Sequence, residues 1–391
     1  MKIKNIEIFH VDAGWRPWTF IKLSTDEDLY GWSECTDSNG SPFGMEGVIK
    51  DLAPLLNDKD PSEILKLIEL MYSRTRQSSS GIVHKVIGGI ENALWDLKGK
   101  SLGTPVYELF GGPIRTEIET YWSHCGTTRV RASDIANVQK ISDETDFDML
   151  AREIDKLGFH AVKTNIGIFD PEPHIYMPGF GRTPGGPELN LDNKLKRAIT
   201  GWVANFRNAV GDNIDIALDL NFNFKTEGYK AISKSLDEFN LSWLEIDSYD
   251  PLALAEIKQC SYQPIASCEN LYGLREYRPF FDKRSMDIAI IDVIWNGMTK
   301  SRSIAELANS HEINVCTHNY NGYLSTAISS HFASVTPNLK MAEIDVDDVP
   351  WRDDIFTNPP EIVNGKVLLS NEPGWGTEPI EKQLKKYPWP K

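Results

Sequence analysis

Six ionisable residues recur through the second half of the chain at nearly one interval, and that interval restricts the fold more than any other feature. Asp219, Glu245, Glu269, Asp292, His318 and Glu343 are separated by 26, 24, 23, 26 and 25 residues. Each stands at the end of an apolar run of strand length: Ile214–Leu218, Ser242–Leu244, Pro264–Ser267, Ile288–Ile291, Ile313–Cys316 and Leu339–Ala342. Two earlier runs, Glu117–Tyr121 and His160–Lys163, bring the number to eight. Helical spacing, as in Ser301–Ser310 and Thr326–Ser334, lies between several of them. One interval is the length of one strand-plus-helix unit. Eight such units predict a closed β/α barrel rather than an open sheet. In a barrel, in-phase strand ends share one height, the C-terminal mouth, where active sites are built. An acidic residue opening a βα loop is also an ordinary helix N-cap. Capping alone does not account for six in phase, one of them a histidine.

A barrel uses about 250 residues, which leaves a smaller unit at the start of this 391-residue chain. Residues 3–10, 18–24 and 29–34 read as three short strands, and Ser62–Tyr72 and Val83–Gly99 as helices. In the second helix Ile87, Ile90, Ala93, Leu94 and Leu97 form one stripe. Strands followed by helices indicate an α+β unit.

Charge bears on partners. Forty-one Lys and Arg against 56 Asp and Glu leave −15. That balance speaks against nucleic acid or an anionic membrane as the main partner. An anionic small molecule stays open, because a bound divalent cation inverts the local field. Met1–Ile8 alternates like a first strand, with no apolar leader region after it. The apolar stretch Ile288–Trp295 is broken by Asp292 and falls short of the roughly 18 residues a membrane span needs. Five scattered cysteines without a CxxC suit a reduced, cytoplasmic protein.

The in-phase residues divide by chemistry. Asp219, Glu245 and Glu269, on successive strands, crowd like charges that only a cation relieves. With oxygen ligands alone and room for water and a substrate oxygen, Mg²⁺ is the expected ion. Asp292 and His318, one strand apart, form a carboxylate–imidazole pair, in which the carboxylate orients the ring and raises its basicity as a general base requires. Lys163, ending the second run, is placed to act as a base if desolvated or to hold a carboxylate as a positive charge. A metal, an oriented His and a Lys together describe removal of the proton on the carbon beside a carboxylate, with the developing charge neutralised.

These residues and their surroundings resemble the enolase superfamily, specifically its mandelate racemase-like subgroup. Gly31-Trp32-Ser33-Glu34-Cys35 is similar to the family's cap-strand motif. Ile90–Lys100, reading Ile-Glu-Asn-Ala-Leu-Trp-Asp-Leu-Lys-Gly-Lys, and Pro105–Gly112 resemble the stretch joining cap to barrel. Ala217–Asn221, Trp243–Glu245 and Ser267–Asn270 resemble the three ligand strands. Ile291–Val293 and Thr317–Asn319 resemble the strands of the Asp–His dyad, and Ala342–Ile344 the eighth strand with Glu343. The resemblance implies a modified TIM barrel over 116–355. It also implies an α+β capping domain over 1–115, completed by the tail 356–391. Metal ligands would be Asp219, Glu245 and Glu269; the catalytic group would be His318, Asp292, Lys163 and Glu343. Two cap loops, Asp12–Trp18 and Cys35–Gly44, would close on a small-molecule carboxylate, with Trp15, Arg16 and Trp18 near it. Asn165, Asn221 and His124 are further expected substrate contacts, and a homo-oligomer is expected.

One departure matters. Racemases of the family carry Lys-x-Lys where this chain has Lys163-Thr164-Asn165, and an amide cannot exchange a proton as a base does. Lys163 and Asp219 are 56 residues apart instead of one interval, so Gly167–Asp192 reads as an insertion of the lid kind. It carries His174, Tyr176 and Arg182, and His174 is a candidate second acid or base that would touch substrate. His10, His84, His160, His311 and His331 read as ordinary cap or helix residues. Asp345, Asp347 and Asp348 lack the spacing of a calcium loop and read as solvated. The expected activity is Mg²⁺-dependent dehydration of a sugar acid to a 2-keto-3-deoxy acid. The alternative is a racemase or epimerase of a hydroxy acid or amino acid derivative. A metal-dependent binding protein would need neither Asp292 nor His318.

Overall fold

The computed structural model describes residues 1–37, 40–78, 80–180 and 190–390. The chain opens with an antiparallel sheet of β1 (Ile3–Asp12), β2 (Pro17–Thr25) and β3 (Tyr30–Glu34). Three helices follow, Pro42–Leu56, Ile64–Arg74 and Gly81–Leu102. The first of these is absent from the sequence reading. Gly44, Gly47 and Pro54 disguise it, yet Ser41 caps it, accepting from the Gly44 N–H at 3.1 Å, and its buried Met45, Ile49, Leu52 and Leu56 keep helical spacing. These residues and one face of Gly81–Leu102 form the cap's own core.

The barrel strands are β4 (Glu117–Ser123), β5 (Ala161–Thr164), β8 (Asp215–Asp219), β9 (Trp243–Glu245), β10 (Ile265–Ser267), β11 (Ile288–Asp292), β12 (Asn314–His318) and β13 (Leu339–Asp345). They lie side by side in chain order, all parallel, and β13 pairs with β4 to close the ring. Within the insertion, β6 (Gly167–Ile168) and β7 (His174–Ile175) make a small hairpin, and Arg182 lies outside the described residues. In the tail β14 (Ile362–Val363) and β15 (Lys366–Leu368) pair, and β15 adds antiparallel to the start of β4. Among the described residues no helix is long and apolar enough to cross a membrane.

Strand alternation builds the mouth in layers. Tyr121, Ala161, Ala217, Trp243, Ala266, Ile290, Cys316 and Met341 pack together inside the barrel as its floor. Two residues on, Ser123, Lys163, Asp219, Glu245, Asp292, His318 and Glu343 must face the same way. On β10 the step is three: Cys268 takes a left-handed backbone, φ 91°, so Glu269 rather than Cys268 joins the ring.

Cap and barrel meet along the helix Gly81–Leu102 and the helix Val293–Ser310 after β11. Asn92 bonds the Val293 carbonyl at 3.1 Å and receives the Met298 N–H at 3.0 Å, and Glu91 accepts from Thr299 N–H at 2.7 Å. The approach is too close for side chains: a Cβ on Gly88 would sit 2.4 Å from the Trp295 carbonyl oxygen. Asp96 accepts from the N–H groups of Trp32 (2.7 Å) and Trp375 (2.9 Å) and pairs with Lys100 at 2.7 Å. The family-like stretch Ile90–Lys100 is thus the joint between cap, barrel and tail.

Candidate active site

At the centre of the mouth Lys163 is buried between two carboxylates, its Nζ 3.0 Å from Glu245 Oε1 and 2.9 Å from Glu343 Oε1. Asn165, two residues further and just past the end of β5, lies beside it. Its Nδ2 donates to Asp219 Oδ2 at 3.1 Å and to Asn221 Oδ1 at 3.2 Å. Asn221 in turn donates to Asp219 from its Nδ2 and its backbone N–H, both at 2.8 Å. Two expected substrate contacts are thus hydrogen-bonded to Asp219.

Asp219 and Glu245 are register partners on β8 and β9. Burial, with repulsion from Glu269, lifts Asp219 above the usual carboxylate range. Burial and the charges of Asp219, Glu269 and Glu343 push Glu245 up to about 8, against the pull of Lys163. Glu245 Oε2 also accepts from Trp243 Nε1 at 3.0 Å, and Glu269 Oε1 from Asn270 Nδ2 at 3.2 Å. A fourth carboxylate, Asp247, absent from the sequence reading, joins this group. It lies two residues beyond Glu245, and burial and the three neighbouring acids raise it strongly. Strand alternation beyond Glu245 was the signal for it.

Asp292 and His318 are register partners on β11 and β12, with His318 Nδ1 2.7 Å from Asp292 Oδ2. Asp292 Oδ1 meanwhile accepts the Trp295 N–H at 2.8 Å, so this residue is both helix N-cap and dyad member. His318 Nε2 lies 3.7 Å from Glu269 Oε2. Burial works against the ring's charge, but Glu269 and then Asp292 outweigh it and raise His318 to about 10. Glu343 goes the other way: burial is overcome by Lys163, His318, His124 and Ser123, leaving it at about 2. Its oxygens also take the Ser123 hydroxyl and the Asn319 N–H.

Around the mouth several expectations change. Asp345, Asp347 and Asp348 are buried, not solvated, because loops from distant parts of the chain supply their partners. Asp347 holds Arg129 at 2.8 Å and Asp348 holds Arg16 at 2.8 Å. Arg16 is therefore a buried structural cation, 1 % exposed, rather than a free loop group, although its Nε and Nη1 have no hydrogen-bond partner among the described residues. Trp15 donates to the Tyr320 hydroxyl at 2.6 Å, and Trp18 is fully buried. His174 sits exposed on the β6–β7 hairpin with Nδ1 against the Glu172 carbonyl at 2.8 Å, and no described mouth residue bonds it. His331 is more than an ordinary helix residue: buried between Tyr107 and Trp375, it accepts the Tyr107 N–H at 3.3 Å. Glu34 caps the helix after β12, accepting from Gly322 and Ser325 N–H at 2.7 and 3.0 Å, and burial lifts it to about 7.

The donor set suits a hard divalent cation. Asp219, Glu245 and Glu269 offer oxygen only, from three successive strands, and their mutual repulsion is what a cation would relieve. Among the described residues no three of these groups are already drawn together as ligands. Amide, ammonium and indole N–H groups occupy their oxygens instead, and those donors would have to be released.

Comparison with known proteins agrees with this geometry. Residues 146–383 match the enolase C-terminal domain-like family, and residues 10–111 the mandelate racemase / muconate lactonizing enzyme N-terminal domain. D-xylonate dehydratase of Haloferax volcanii is 28% identical over 96% of this chain and 86% of its own length. D-galactonate dehydratase of Xanthomonas oryzae pv. oryzae is 27% identical, covering 99% and 94%. A solved structure from Burkholderia xenovorans strain LB400, named for L-alanine-DL-glutamate epimerase, is 42% identical with a TM-score of 0.96, covering 99% of this chain and 98% of that one. The same protein has been solved bound to magnesium and fumarate. With both halves matched and the barrel's ionisable ring in register, this chain is an enzyme of the enolase superfamily, in its mandelate racemase-like group.

Proposed function

We propose that the protein is a Mg²⁺-dependent acid-sugar dehydratase, converting an aldonate to its 2-keto-3-deoxy acid. The observation that carries this reading is the asymmetry of the mouth. One side has the complete dyad His318–Asp292; just past the end of β5 stands Asn165, already bonded to Asp219 and, as an amide, unable to serve as a base. A racemase must deprotonate one face and reprotonate the other, whereas β-elimination needs one base for carbon 2. The dehydratase names of the Haloferax and Xanthomonas relatives lend weight to the same choice.

Asp219, Glu245 and Glu269 would hold the metal, which when bound supplies Lewis-acid stabilisation of charge on the substrate carboxylate. Lys163, charged and fixed between Glu245 and Glu343, adds a second positive centre for that carboxylate. Asp292 holds His318 through Nδ1, which leaves Nε2 as the nitrogen that can act as base. His318 then takes the proton from carbon 2, and the enediolate expels the β-hydroxyl.

The second reading, epimerisation, is favoured by the name of the Burkholderia protein. One experiment separates the two. The enzyme is incubated with Mg²⁺ in D₂O with D-xylonate, D-galactonate, a wider aldonate panel and L-Ala-L-Glu. The dehydratase reading expects a 2-keto-3-deoxy acid deuterated at carbon 3. Deuterium at the α-carbon of recovered, inverted substrate with no keto acid would replace it with the epimerase reading.

A further inference from the structure

The mouth holds a second carboxylate–imidazole pair. Asp345, at the end of β13, lies in register with Ser123 at the end of β4, and His124 follows Ser123 directly. His124 Nδ1 is 2.8 Å from Asp345 Oδ1 and 3.1 Å from the Ser123 hydroxyl. The His318–Asp292 pair is assembled in the same way, from adjacent strands, through Nδ1, at 2.7 Å. In both, the carboxylate takes Nδ1 and leaves Nε2 for other work, and among the described residues no hydrogen bond to His124 Nε2 occurs.

His124 is built into this position at a cost. Its backbone is left-handed, φ 50°, which a residue with a Cβ rarely adopts unless the surroundings impose it. Its ring also lies 4.4 Å from that of Tyr320, whose hydroxyl receives Trp15 Nε1 at 2.6 Å and Arg131 Nη2 at 2.7 Å. The side chain keeps 12% exposure, while Lys163, Glu245 and Glu343 show 3% or less. Its exposure is close to that of the His318 side chain, 10%. Its strand, β4, borders β5, where Asn165 replaces the second lysine of related racemases. The side of the mouth that lost a base on one strand carries an oriented imidazole on the next.

We propose, resting on the dehydratase reading, that His124 is the acid of the reaction, with Asp345 its positioning residue. His318 takes the proton from carbon 2, and the C–H electron pair enters the enediolate. That pair returns to form the C2–C3 double bond as the C3–O bond breaks. The leaving oxygen takes the Nε2 proton of His124 and departs as water. The enol then takes a solvent proton at carbon 3 as its carbon-2 hydroxyl gives up its proton to solvent, which leaves the 2-keto acid; no oxidant or reductant enters.

The test compares leaving groups. Wild type, His124→Asn and Asp345→Asn are assayed on the aldonate of the panel above that wild type dehydrates fastest, and on its 3-deoxy-3-fluoro analogue. Fluoride needs no proton to leave. His124→Asn should slow water loss by about 100-fold or more, with fluoride release within about 3-fold of wild type. Asp345→Asn should show the same selectivity to a smaller degree. If His124→Asn melts with wild type, and both leaving groups slow equally or neither slows, the acid role is overturned. If that variant melts lower, the ratio of the two rates in Asp345→Asn decides in the same way. A wild type that forms no keto acid from any aldonate refutes the dehydratase reading itself, before any variant is compared.

Discussion

Glu245→Gln should make the metal-free protein more stable at alkaline pH while depriving it of metal binding. Glu245 is 1% exposed, and its carboxyl holds its proton up to about 8 in the fold, against 4.5 in the unfolded chain. Because the folded value is the higher one, this proton stabilises the fold fully below pH 4.5. That stabilisation drains away as pH rises through 8. The interval from 4.5 to 8 is about 3.5 units, equivalent to an upper bound of about 5 kcal/mol at 1.36 kcal/mol per unit. Glutamine is neutral at every pH and avoids that loss. It also gives up charge-assisted bonds to Lys163 and Trp243, so a net gain of about 1–2 kcal/mol at pH 8 is expected. Bound Mg²⁺ adds about 2.7 kcal/mol to wild type at 100 times its dissociation constant, and much less to a variant lacking a ligand. The assay is thermal melting of EDTA-treated protein at pH 5 and pH 8, with and without added Mg²⁺. In EDTA at pH 8 the variant should melt above wild type; at pH 5 the advantage should vanish; with Mg²⁺ the order should reverse. A variant that melts below wild type in EDTA at pH 8, and gains as much from Mg²⁺, would refute both the charge crowding and the ligand assignment.

Three further outcomes follow from the packing. His318→Asn should cut turnover by about 100-fold or more, whereas His331→Asn should leave the kcat of folded protein unchanged and cost about 1–3 kcal/mol in chemical denaturation. That cost comes from the Tyr107 N–H, which His331 accepts at full burial. Lys163→Met leaves the buried Glu343 carboxylate without its counter-charge and Glu245 without its ammonium donor, and should destabilise by about 3–5 kcal/mol as well as abolish activity, measured by urea unfolding and assay together. His174→Ala should alter neither activity nor stability, since the side chain is exposed on its hairpin; a large fall in kcat would place it at the mouth during turnover.

The ring of ionisable groups could be read from the chain because two local rules generate it. Strand alternation sends every second residue inward, and a strand–helix unit has a nearly constant length, so Asp219, Glu245, Asp292, His318 and Glu343 keep phase without reference to any partner. The same rules, carried two residues past Glu245, would have found Asp247. The helix Pro42–Leu56 also left a periodic trace beneath its glycines. What the chain did not disclose is which loops meet. Arg16 and Asp348 stand 332 residues apart in sequence and 2.8 Å apart in the fold. His124 meets Asp345 only because β13 closes on β4. Read alone, Asp345, Asp347 and Asp348 are a polar run; closure of the barrel buries all three against arginines and a histidine. Asn165 and Asn221, free to touch a ligand as far as sequence can say, are bound to Asp219 by the height at which β5 and β8 pair. Periodicity is a property of neighbours in sequence, and it survives in the sequence. Pairing of charges is a property of neighbours in space, and only the closed ring of strands decides it.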